Sequence, residues 1–596
     1  VTICVRKKNK VMLQTLFIFI SGAASTLACT NLLVSKGASL DGSNIISYNA
    51  DASNFYTTIY HYPAGTNVNG TMRKLWSWDY GTYLGEIPEA TETYNVVGNV
   101  NEHGLIITES TFGGLTELTC TQRTGTVDYG SLIWLTLQRS KTAREAISTM
   151  NFLVTTYGYA STGESFSIAD RDELWYLELI GKGRFAKGAV WVARKVPDGY
   201  VTGHANQARI TTFPQGDPLT CLFSADVISF AREIGLYDGT DAEFSFSDVY
   251  DPVTFSGARF CEARVWSFFT AVMGAEWSNQ YLDYAQGYNL ANRMPLWVKP
   301  ASQISVQDVM QFMRSHYENT ALDMTGQSFS DVGAGAFSVP VRASPLTWSA
   351  SNFKGSQFFH ERAIAQGPTG WSIVCQARPN LPDALTALMW FGIDDSSTSV
   401  HFPVYGSVTR VPAGWGGGGP QDGVTPPMMT FSLTSAFYVF NLVANWAYTR
   451  WDAIYPDVLN EILTHEKEYF ALVEETDRKA LALLSDSNPL VQAQGVEYLT
   501  KFTENVGETL LTDWVSFFGR LFVKYRDGFI TTAKSAVTAP VCGCDTSSLP
   551  YQDEWYNRIV EDTGDVYKVP RSAIAADGVK AKKWTTIEKK DLRAFN

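Results

Sequence analysis

Cys29 is the residue whose type and position most directly predict chemistry. It follows a basic patch at residues 6–10, the apolar run VMLQTLFIFI and a short series of small residues that ends at Ala28. Basic, apolar and small-residue segments in this order are typical of a secretory signal peptide, and Thr26 and Ala28 are small enough for the cleavage site. Met12 could be the true start, which would keep the same site. We therefore predict a signal peptide at 1–28 and a mature chain that begins with Cys29.

An N-terminal cysteine carries a nucleophile and a base on the same residue. A thiol is weakly ionised at neutral pH and needs a base to become the attacking thiolate. The free α-amine of a first residue has a pKa of about 7.7 to 8.0, close to the working pH of most enzymes. Three other interpretations of Cys29 stay open from these residues alone: a disulfide partner, the lipidated cysteine of a lipoprotein, and an inert buried thiol.

Composition limits the partners and the compartment. The 596 residues carry a formal net charge of −13, which argues against nucleic acid as a partner because phosphate binding needs clustered Lys and Arg. Beyond the leader no run is apolar and long enough for a membrane span. We predict a secreted or luminal protein (extracellular, lysosome-like or periplasmic) without stable membrane insertion. Assembly into a homo-oligomer stays open. Asn69 begins a glycosylation sequon, NGT.

Cysteine usage leaves one thiol unmatched. The chain has eight cysteines, and removal of a leader containing Cys4 leaves seven, an odd number for an oxidising compartment. The pairing of the remaining cysteines cannot be read from their spacing.

The pattern of apolar residues indicates a mixed fold followed by helices. Strand patterns separated by Gly, Asn and Asp turns occur at 30–36, 93–100, 104–111, 164–170, 173–180 and 188–196. Helical periodicity occurs at 129–150 and 305–318, and long amphipathic helices are indicated between 432 and 535. The alternation suggests stacked sheets flanked by helices.

These patterns divide the chain into segments. We expect a leader at 1–28, a folded domain at 29–410, a Gly/Pro-rich linker or loop at 411–427, a helical region at 428–540 and a polar, partly disordered tail at 541–596. The helices are expected to pack on the domain or to mediate assembly.

The sequence from Cys29 onward resembles peptidase family C69, the dipeptidases of the N-terminal nucleophile (Ntn) hydrolase superfamily. The resemblance begins in CTNLLVSKGASLDGSNIISYNAD and extends over most of residues 29–410, through the stretches 70–114, 128–147, 157–170, 190–213 and 361–382. It implies an α+β fold, a four-layer αββα sandwich with Cys29 at the start of a central strand, and a mainly α-helical C-terminal region.

The same resemblance implies roles for further residues. Related choloylglycine and penicillin V hydrolases have R-N-x-D about twenty residues after the nucleophile, and YNAD at 48–51 matches it. Asp51 then holds the α-amine and thiol in place, whereas Tyr48 replaces the arginine, which puts arginine-dependent recognition of a substrate carboxylate at that position in doubt. Asn206 matches an oxyanion-hole asparagine. The alternatives are purely structural roles, in which Asp51 caps a turn and Asn206 lies in a turn with Gly203.

Further expectations concern the substrate. Glu109 or Thr111, after the NEHGL turn, is expected to face the cleft together with Tyr48, whereas His204 is expected to be structural. Signatures of papain-like peptidases, serine hydrolases, zinc peptidases, P-loops and dinucleotide-binding folds are missing from the sequence, so we predict no cofactor and no metal.

The expected activity is the hydrolysis of dipeptides by a cysteine-type peptidase with small peptides as substrates. Two alternatives stay open: an amidase or acylase of the same superfamily acting on N-acyl amino acids or related amides, and a non-catalytic secreted binding protein on the same fold.

Overall fold

The structure is a computed structural model that describes residues 29–52, 55–121, 123–323, 352–353, 355–357, 361–417, 430–534, 543–551 and 553–569. The predicted leader at 1–28, most of the predicted linker and the end of the predicted tail lie outside the described residues. Asn69, the predicted glycosylation acceptor, is exposed in a turn.

The strands and helices follow one another in a mixed order. The strands in the first half are β1 Thr30–Val34, β2 Asn44–Asp51, β3 Ile59–Tyr62, β4 Gly65–Thr66, β5 Met72–Trp76, β6 Tyr83–Pro88, β7 Glu92–Thr93, β8 Val96–Val97, β9 Val100–Asn101, β10 Ile106–Gly113, β11 Gly163–Ala169 and β12 Leu174–Gly181. The later strands are β13 Ala189–Lys195, β14 Val201–His204, β15 Cys221–Phe223, β16 Trp297–Val298, β17 Asn352–Phe353, β18 Ser356–Gln357, β19 Thr369–Ala377, β20 Ala387–Ile393, β21 Phe402–Tyr405, β22 Gly416–Gly417, β23 Phe529–Ala533 and β24 Cys544–Ser548. The α-helices are α1 Tyr129–Leu137, α2 Ala143–Tyr157, α3 Val227–Glu233, α4 Phe246–Tyr250, α5 Ala263–Met273, α6 Ala275–Ala285, α7 Val306–Met313, α8 Asp383–Thr386, α9 Ala436–Ala447, α10 Trp451–Leu484, α11 Pro489–Tyr525 and α12 Asp553–Thr563.

Two large sheets organise the part of the chain that the structure describes. The first has the strand order β16-β14-β1-β2-β19-β20-β21 and is antiparallel throughout. The second has the order β15-β13-β12-β11-β10-β9-β8-β3-β22 and is antiparallel except for the short β3–β22 pair. The predicted strand patterns correspond to β1, β8 to β13 and their neighbours. The predicted α+β class is confirmed, and its two large sheets prove to be mainly antiparallel.

The two sheets pack against each other and divide the interior. β10 contacts β1 and β2, and β11 contacts β2. Successive residues of a strand point to opposite faces. In β12, Trp175 and Leu177 accordingly pack with α1 and α2, whereas Leu174 and Tyr176 face the core shared with the first sheet. On the first sheet, α5 contacts β1 and β14, and α7 contacts β2 and β19.

Local capping explains where key helices begin. The predicted helical stretch at 129–150 divides into α1 and α2 because Thr142 accepts a hydrogen bond from the backbone N–H of Glu145, whose side chain bonds back to the Thr142 backbone. Such a capping box starts a new helix. Asn488 caps α11 by a single hydrogen bond that its side-chain oxygen accepts from the backbone N–H of Leu490, and Pro489 occupies the first helical position, where a proline is favoured.

The C-terminal helices pack on the first sheet. α10 and α11 lie against each other, α11 contacts β21, and α9 contacts β20. In the predicted linker, Trp415 is fully buried, and Gly416–Gly417 pair with β3. None of the helices in the described ranges is both long and apolar enough to cross a membrane. The predicted helical C-terminal region is therefore present and covers the first sheet, whose strand β1 directly follows Cys29.

Candidate active site

Cys29 lies immediately before β1, at the N-terminal end of a central strand of the first sheet. β1 is hydrogen-bonded on one side to β2 and on the other to β14, which fixes the start of the strand between two neighbours. The Cys29 side chain is a free thiol and only 2% exposed. Its Sγ lies 3.6 Å from the hydroxyl of Tyr48 on β2 and 3.7 Å from Oε1 of Glu109 on β10. The thiol therefore sits where the two sheets meet.

The surroundings of Cys29 keep its thiol protonated. Burial raises the pKa of the Cys29 thiol well above its usual value, and the negative charges of Glu109 and Asp51 raise it further. The backbone N–H of Asp51 and the Tyr48 hydroxyl act in the opposite direction and lower this pKa, but they do not outweigh burial. A nucleophilic Cys29 consequently needs a base that removes the proton.

Asp51 ends β2 and is completely buried. Its carboxylate accepts hydrogen bonds from the Thr369 hydroxyl at 2.6 Å and from the Gln366 amide at 3.1 Å. Burial raises the pKa of Asp51 to about 7, against the Thr369 hydrogen bond and the positive charges of Arg264 and Arg362. Thr369 is the first residue of β19 and Gln366 lies just before it, so the carboxylate connects β2 to the start of β19.

Arg264 links Cys29 to Asn206. This fully buried arginine on α5 donates from Nη1 to the Cys29 carbonyl oxygen at 2.8 Å and to the Thr30 hydroxyl at 2.7 Å. From Nη2 it donates to the Ala205 carbonyl oxygen at 2.9 Å and to Oδ1 of Asn206 at 2.8 Å. Sequence reasoning missed Arg264. The available signal was a charged residue inside the apolar stretch ARVWSFFTAV, because arginine is rarely buried without a specific set of partners.

Asn206 follows β14 and has a φ of 68°, in the left-handed region that asparagine tolerates better than most residues. Its Oδ1 accepts from Arg264, and its Nδ2 donates to the carbonyl oxygen of Thr111 at 2.5 Å. This pairing orients the amide, and the second N–H of Nδ2 remains for another acceptor.

The predicted substrate residues form a second cluster beside the thiol. Tyr48 donates a hydrogen bond to Oε1 of Glu109, and its ring stands edge-on to Trp371 with 5.8 Å between ring centroids. Thr111 points to Glu164 on β11, donating to Oε1 at 3.0 Å. Tyr48 and Glu109 therefore meet at the thiol, whereas the Thr111 side chain contacts Glu164.

A cavity opens next to this cluster. It is partly open to solvent. Tyr48 and Glu109 line it together with a series of aromatic rings, namely Tyr60, Tyr62, Trp78, Tyr129, Trp134, Trp371 and Phe391. Within the described ranges, no three His, Cys, Asp or Glu side chains are grouped to hold a metal ion. The cavity is therefore apolar in its walls and polar beside Cys29.

His204 lies in the interior between the sheets. It is fully buried and hydrogen-bonded to the hydroxyls of Ser110 at 2.5 Å and Ser167 at 2.7 Å, and its ring stacks on Tyr176. Burial lowers the pKa of His204 well below its usual value, and the charge of Arg209 adds to this shift. A neutral imidazole that bridges two serines is consistent with the predicted structural role.

A buried thiol next to carboxyls, an oriented amide and an open cavity is the kind of site used by hydrolases that act on acyl groups. The sequence profile of Peptidase family C69 matches residues 28–463, and the chain belongs to this family. The match extends from the thiol into α10, so it includes β19 to β21 and α9.

Several curated relatives are similar to the chain. A "Probable dipeptidase" of Latilactobacillus sakei is 26% identical over 395 residues, which cover 63% of this chain and 74% of the relative. A "Probable dipeptidase" of Salmonella dublin is 25% identical over 409 residues, 64% of this chain and 82% of the relative. "Dipeptidase A" of Lactobacillus helveticus is 22% identical over 458 residues, 71% and 82% of the two chains.

Proposed function

We propose that this protein is a cysteine-type dipeptidase in which Cys29, exposed as the first residue by removal of residues 1–28, is the nucleophile. The observation that carries the proposal is the position of Cys29, a buried free thiol directly before a central strand and within reach of the cavity. Membership of a peptidase family supports the reaction class, and the relatives named dipeptidases support the substrate class.

The fold belongs to the same proposal. Two antiparallel sheets packed against each other, with α1 and α2 on one side and α5 and α7 on the other, are what an αββα Ntn-hydrolase sandwich requires. In that arrangement the nucleophile begins a strand of one sheet, as Cys29 does.

The mechanism starts with a proton transfer within Cys29. The free α-amine takes the thiol proton, the thiolate attacks the peptide carbonyl, and the developing oxyanion is held by Nδ2 of Asn206 and a backbone N–H. The protonated amine donates to the leaving amino group, and the thioester is then hydrolysed by water with the same amine as base. Arg264 keeps Asn206 and the Cys29 backbone in a common geometry, and Asp51 supports the amine.

A pair of N-terminal forms tests the base. One form begins with Cys29 and the other retains a single residue, Ala28, which converts the amine to an amide and leaves the thiol in place. We expect dipeptide hydrolysis by the first form and a loss of about 10²- to 10⁴-fold in kcat for the second, the usual contribution of a general base. Equal activity of the two forms would exclude the α-amine as base.

Thiol substitutions test the nucleophile. Cys29→Ala is expected to abolish hydrolysis, and Cys221→Ala, which removes another buried free thiol outside the cavity, is the matched control. Activity in Cys29→Ala would overturn the proposal. A panel of dipeptides and N-acyl amino acids separates the alternatives. Cleavage of N-acyl amino acids alone would indicate an acylase. If neither dipeptides nor N-acyl amino acids were cleaved, the result would indicate a binding protein.

Export is part of the proposal as well. We propose that the mature protein is secreted or luminal, and mass spectrometry of its N-terminal peptide from the producing cells is the test. A free, unmodified Cys29 is expected, whereas a retained leader or an acylated Cys29 would contradict it.

A further inference from the structure

The buried carboxyls beside the thiol are not used by the mechanism above. Glu109 is 1% exposed and Glu164 is fully buried. Oε1 of Glu109 accepts from Tyr48, and Oε1 of Glu164 accepts from Thr111. Oε2 of each carboxyl is buried and meets no N–H or hydroxyl donor among the described residues. The two carboxyls instead share a side-chain hydrogen bond with each other. A buried carboxyl pair without a cationic partner is a costly arrangement.

The carboxyl pair also lacks a cationic partner. Burial raises the pKa of Glu109 to about 7, and the charge of Asp79 adds to the effect, whereas the hydrogen bonds from Tyr48 and Glu164 lower it. Burial also raises the pKa of Glu164, and the charge of Glu109 is the next cause. In the described part of the chain, no Lys, Arg or His forms an ion pair with Glu109 or Glu164. A positively charged group that entered the cavity would therefore meet a carboxyl pair that has no cationic partner and would favour its ionised form.

We propose that Glu109, backed by Glu164, binds the free α-ammonium group of the substrate's N-terminal residue, so that the enzyme selects dipeptides over N-acylated analogues. This inference rests on the proposed dipeptidase function and names the chemical group that its site recognises.

Covalent geometry supports the assignment. In a dipeptide, the α-nitrogen lies about 2.5 Å from the scissile carbonyl carbon, as follows from standard N–Cα and Cα–C bond lengths. A reactive thiol approaches that carbon to about 3 to 3.5 Å, so the ammonium lies within about 6 Å of Sγ. Glu109 Oε1 is 3.7 Å from Sγ. An ammonium at the usual charged hydrogen-bond distance of about 2.8 Å from the Glu109 carboxylate is compatible with attack by Cys29.

The cavity walls suit the same group. Tyr48 and Tyr129 line the space next to Glu109, and a hydroxyl hydrogen bond of 2.6 Å fixes Tyr129 to Asp79. Aromatic faces attract cations, and water exclusion strengthens a charged hydrogen bond. An N-acyl substrate has no ammonium at this position, and its binding would leave the carboxyl pair without a cationic partner. The expected discrimination is large because the penalty is that of an unsatisfied buried charge.

The test compares two substrates that differ only in the ammonium group, Ala-Leu and N-propionyl-leucine. The wild-type enzyme is expected to prefer Ala-Leu by about 100-fold or more in kcat/KM, in line with discrimination by buried polar groups. Glu109→Gln should lower kcat/KM for Ala-Leu by about 10- to 100-fold, mainly through KM, without loss on propionyl-leucine. Glu109→Asp keeps the charge and should retain the preference.

Glu178→Gln is the matched control. Glu178 is also fully buried on a strand and receives a hydrogen bond from a tyrosine, Tyr176, and its pKa is also raised to about 7 by burial. It is not among the residues that line the cavity, so its substitution should leave the substrate preference unchanged. A loss of stability alone would lower the activity of both Glu109→Gln and Glu178→Gln. A change in the preference for Ala-Leu over propionyl-leucine is expected for Glu109→Gln only.

The outcomes separate this inference from the proposed function. If the wild type cleaves propionyl-leucine as well as Ala-Leu, ammonium recognition is wrong while hydrolysis by Cys29 stands. If Glu109→Gln lowers both rates equally, Glu109 is not a specificity residue. If neither substrate nor any other dipeptide is cleaved by the form that begins with Cys29, the proposed function itself fails.

Discussion

Arg264 donates a hydrogen bond from Nη1 to the backbone carbonyl oxygen of Cys29 over 2.8 Å. The same guanidinium holds Oδ1 of Asn206 over 2.8 Å from Nη2. One side chain of α5 therefore fixes the relative position of the candidate nucleophile and the candidate oxyanion donor. The planar fork of arginine can reach both acceptors, whereas a lysine ammonium is a single point charge on a flexible stem.

Arg264→Lys should remove the link that fixes the Asn206 side chain relative to the Cys29 backbone. We expect kcat to fall by at least about tenfold, because small misplacements of reacting groups are costly. The free energy of unfolding should fall by about 1 to 3 kcal/mol, since buried acceptors lose their donors. Steady-state kinetics and urea unfolding measure both. Arg410→Lys is the control, because Arg410 is an exposed arginine paired with Glu497 and Glu504 and such pairs contribute little. An Arg264→Lys enzyme with normal kcat would refute the positioning role.

Asp51→Asn should change how stability depends on pH. Burial raises the folded pKa of Asp51 to about 7 from an ordinary 3.8. The folded state then binds more protons than the unfolded state between these values, so this group's contribution is present below about pH 4 and lost as the pH rises through about 7. In the form that retains Ala28, the variant should gain stability relative to the wild type over that interval. Urea unfolding at pH 4, 5.5 and 7.5 measures the free energy of unfolding of both proteins. If the difference between Asp51→Asn and the wild type did not change with pH, the prediction would be wrong.

Glu466 should stabilise the contact between α10 and the first sheet. This buried carboxylate accepts from Arg314 on the α7 C-terminus and from the backbone N–H of His401 at 2.9 Å. Burial alone would raise the pKa of Glu466, but the charge of Arg314 and the His401 hydrogen bond lower it to about 2. Glu466→Gln should therefore cost about 3 to 5 kcal/mol at neutral pH, the usual cost of breaking a buried ion pair.

The pH dependence of Glu466→Gln has the opposite sign to that of Asp51→Asn. The ionised carboxylate stabilises the fold above its ordinary pKa of 4.5, and this contribution is lost as the pH falls toward about 2. The difference in unfolding free energy between wild type and variant should narrow from pH 7 to pH 3. Glu461→Gln is the control, since Glu461 is a more exposed carboxylate on the same helix that pairs with Arg520. A constant difference would count against the Arg314–Glu466 pair.

Gly130→Ala should narrow the cavity. A Cβ at Gly130 would lie 2.6 Å from side-chain atoms of Trp78, and both residues line the cavity. Trp78 must then move, and we expect KM to rise while the alkylation rate of Cys29 by iodoacetamide stays unchanged. Gly519→Ala is the control, because Gly519 lies in α11 with no atom near the added carbon. It should stabilise the fold by about 0.5 to 1 kcal/mol. An unchanged KM in Gly130→Ala would show that substrate does not use this wall.

The strands and long helices were predictable because their signals are local. The apolar patterns at 104–111, 164–170 and 173–180 became β10, β11 and β12, and the helical periodicity after residue 432 became α9, α10 and α11. The division between α1 and α2 depends on a capping box at Thr142, a local signal that the periodicity of the surrounding residues obscures.

The site was predictable only in part. The leader pattern and the family resemblance single out Cys29, Asp51 and Asn206, because these residues follow a recognisable order along the chain. The partners of Arg264 and Glu164 became visible only in three dimensions, since α5 and β11 bring these two residues to others that lie far away in the sequence. The roles of Tyr48, Glu109 and Thr111 in substrate binding stay predictions.

The pairing of β2 with β19 has a consequence for synthesis of the chain. Asp51 on β2 lies opposite Thr369 on β19, and the two residues are 318 positions apart. Such distant pairing requires costly loop closure and slows folding. While the ribosome is still making the middle of the chain, β2 lacks one of its two neighbours and its edge must be protected from aggregation. A fragment that stops before β19 would contain the thiol but could not build the sheet that holds it.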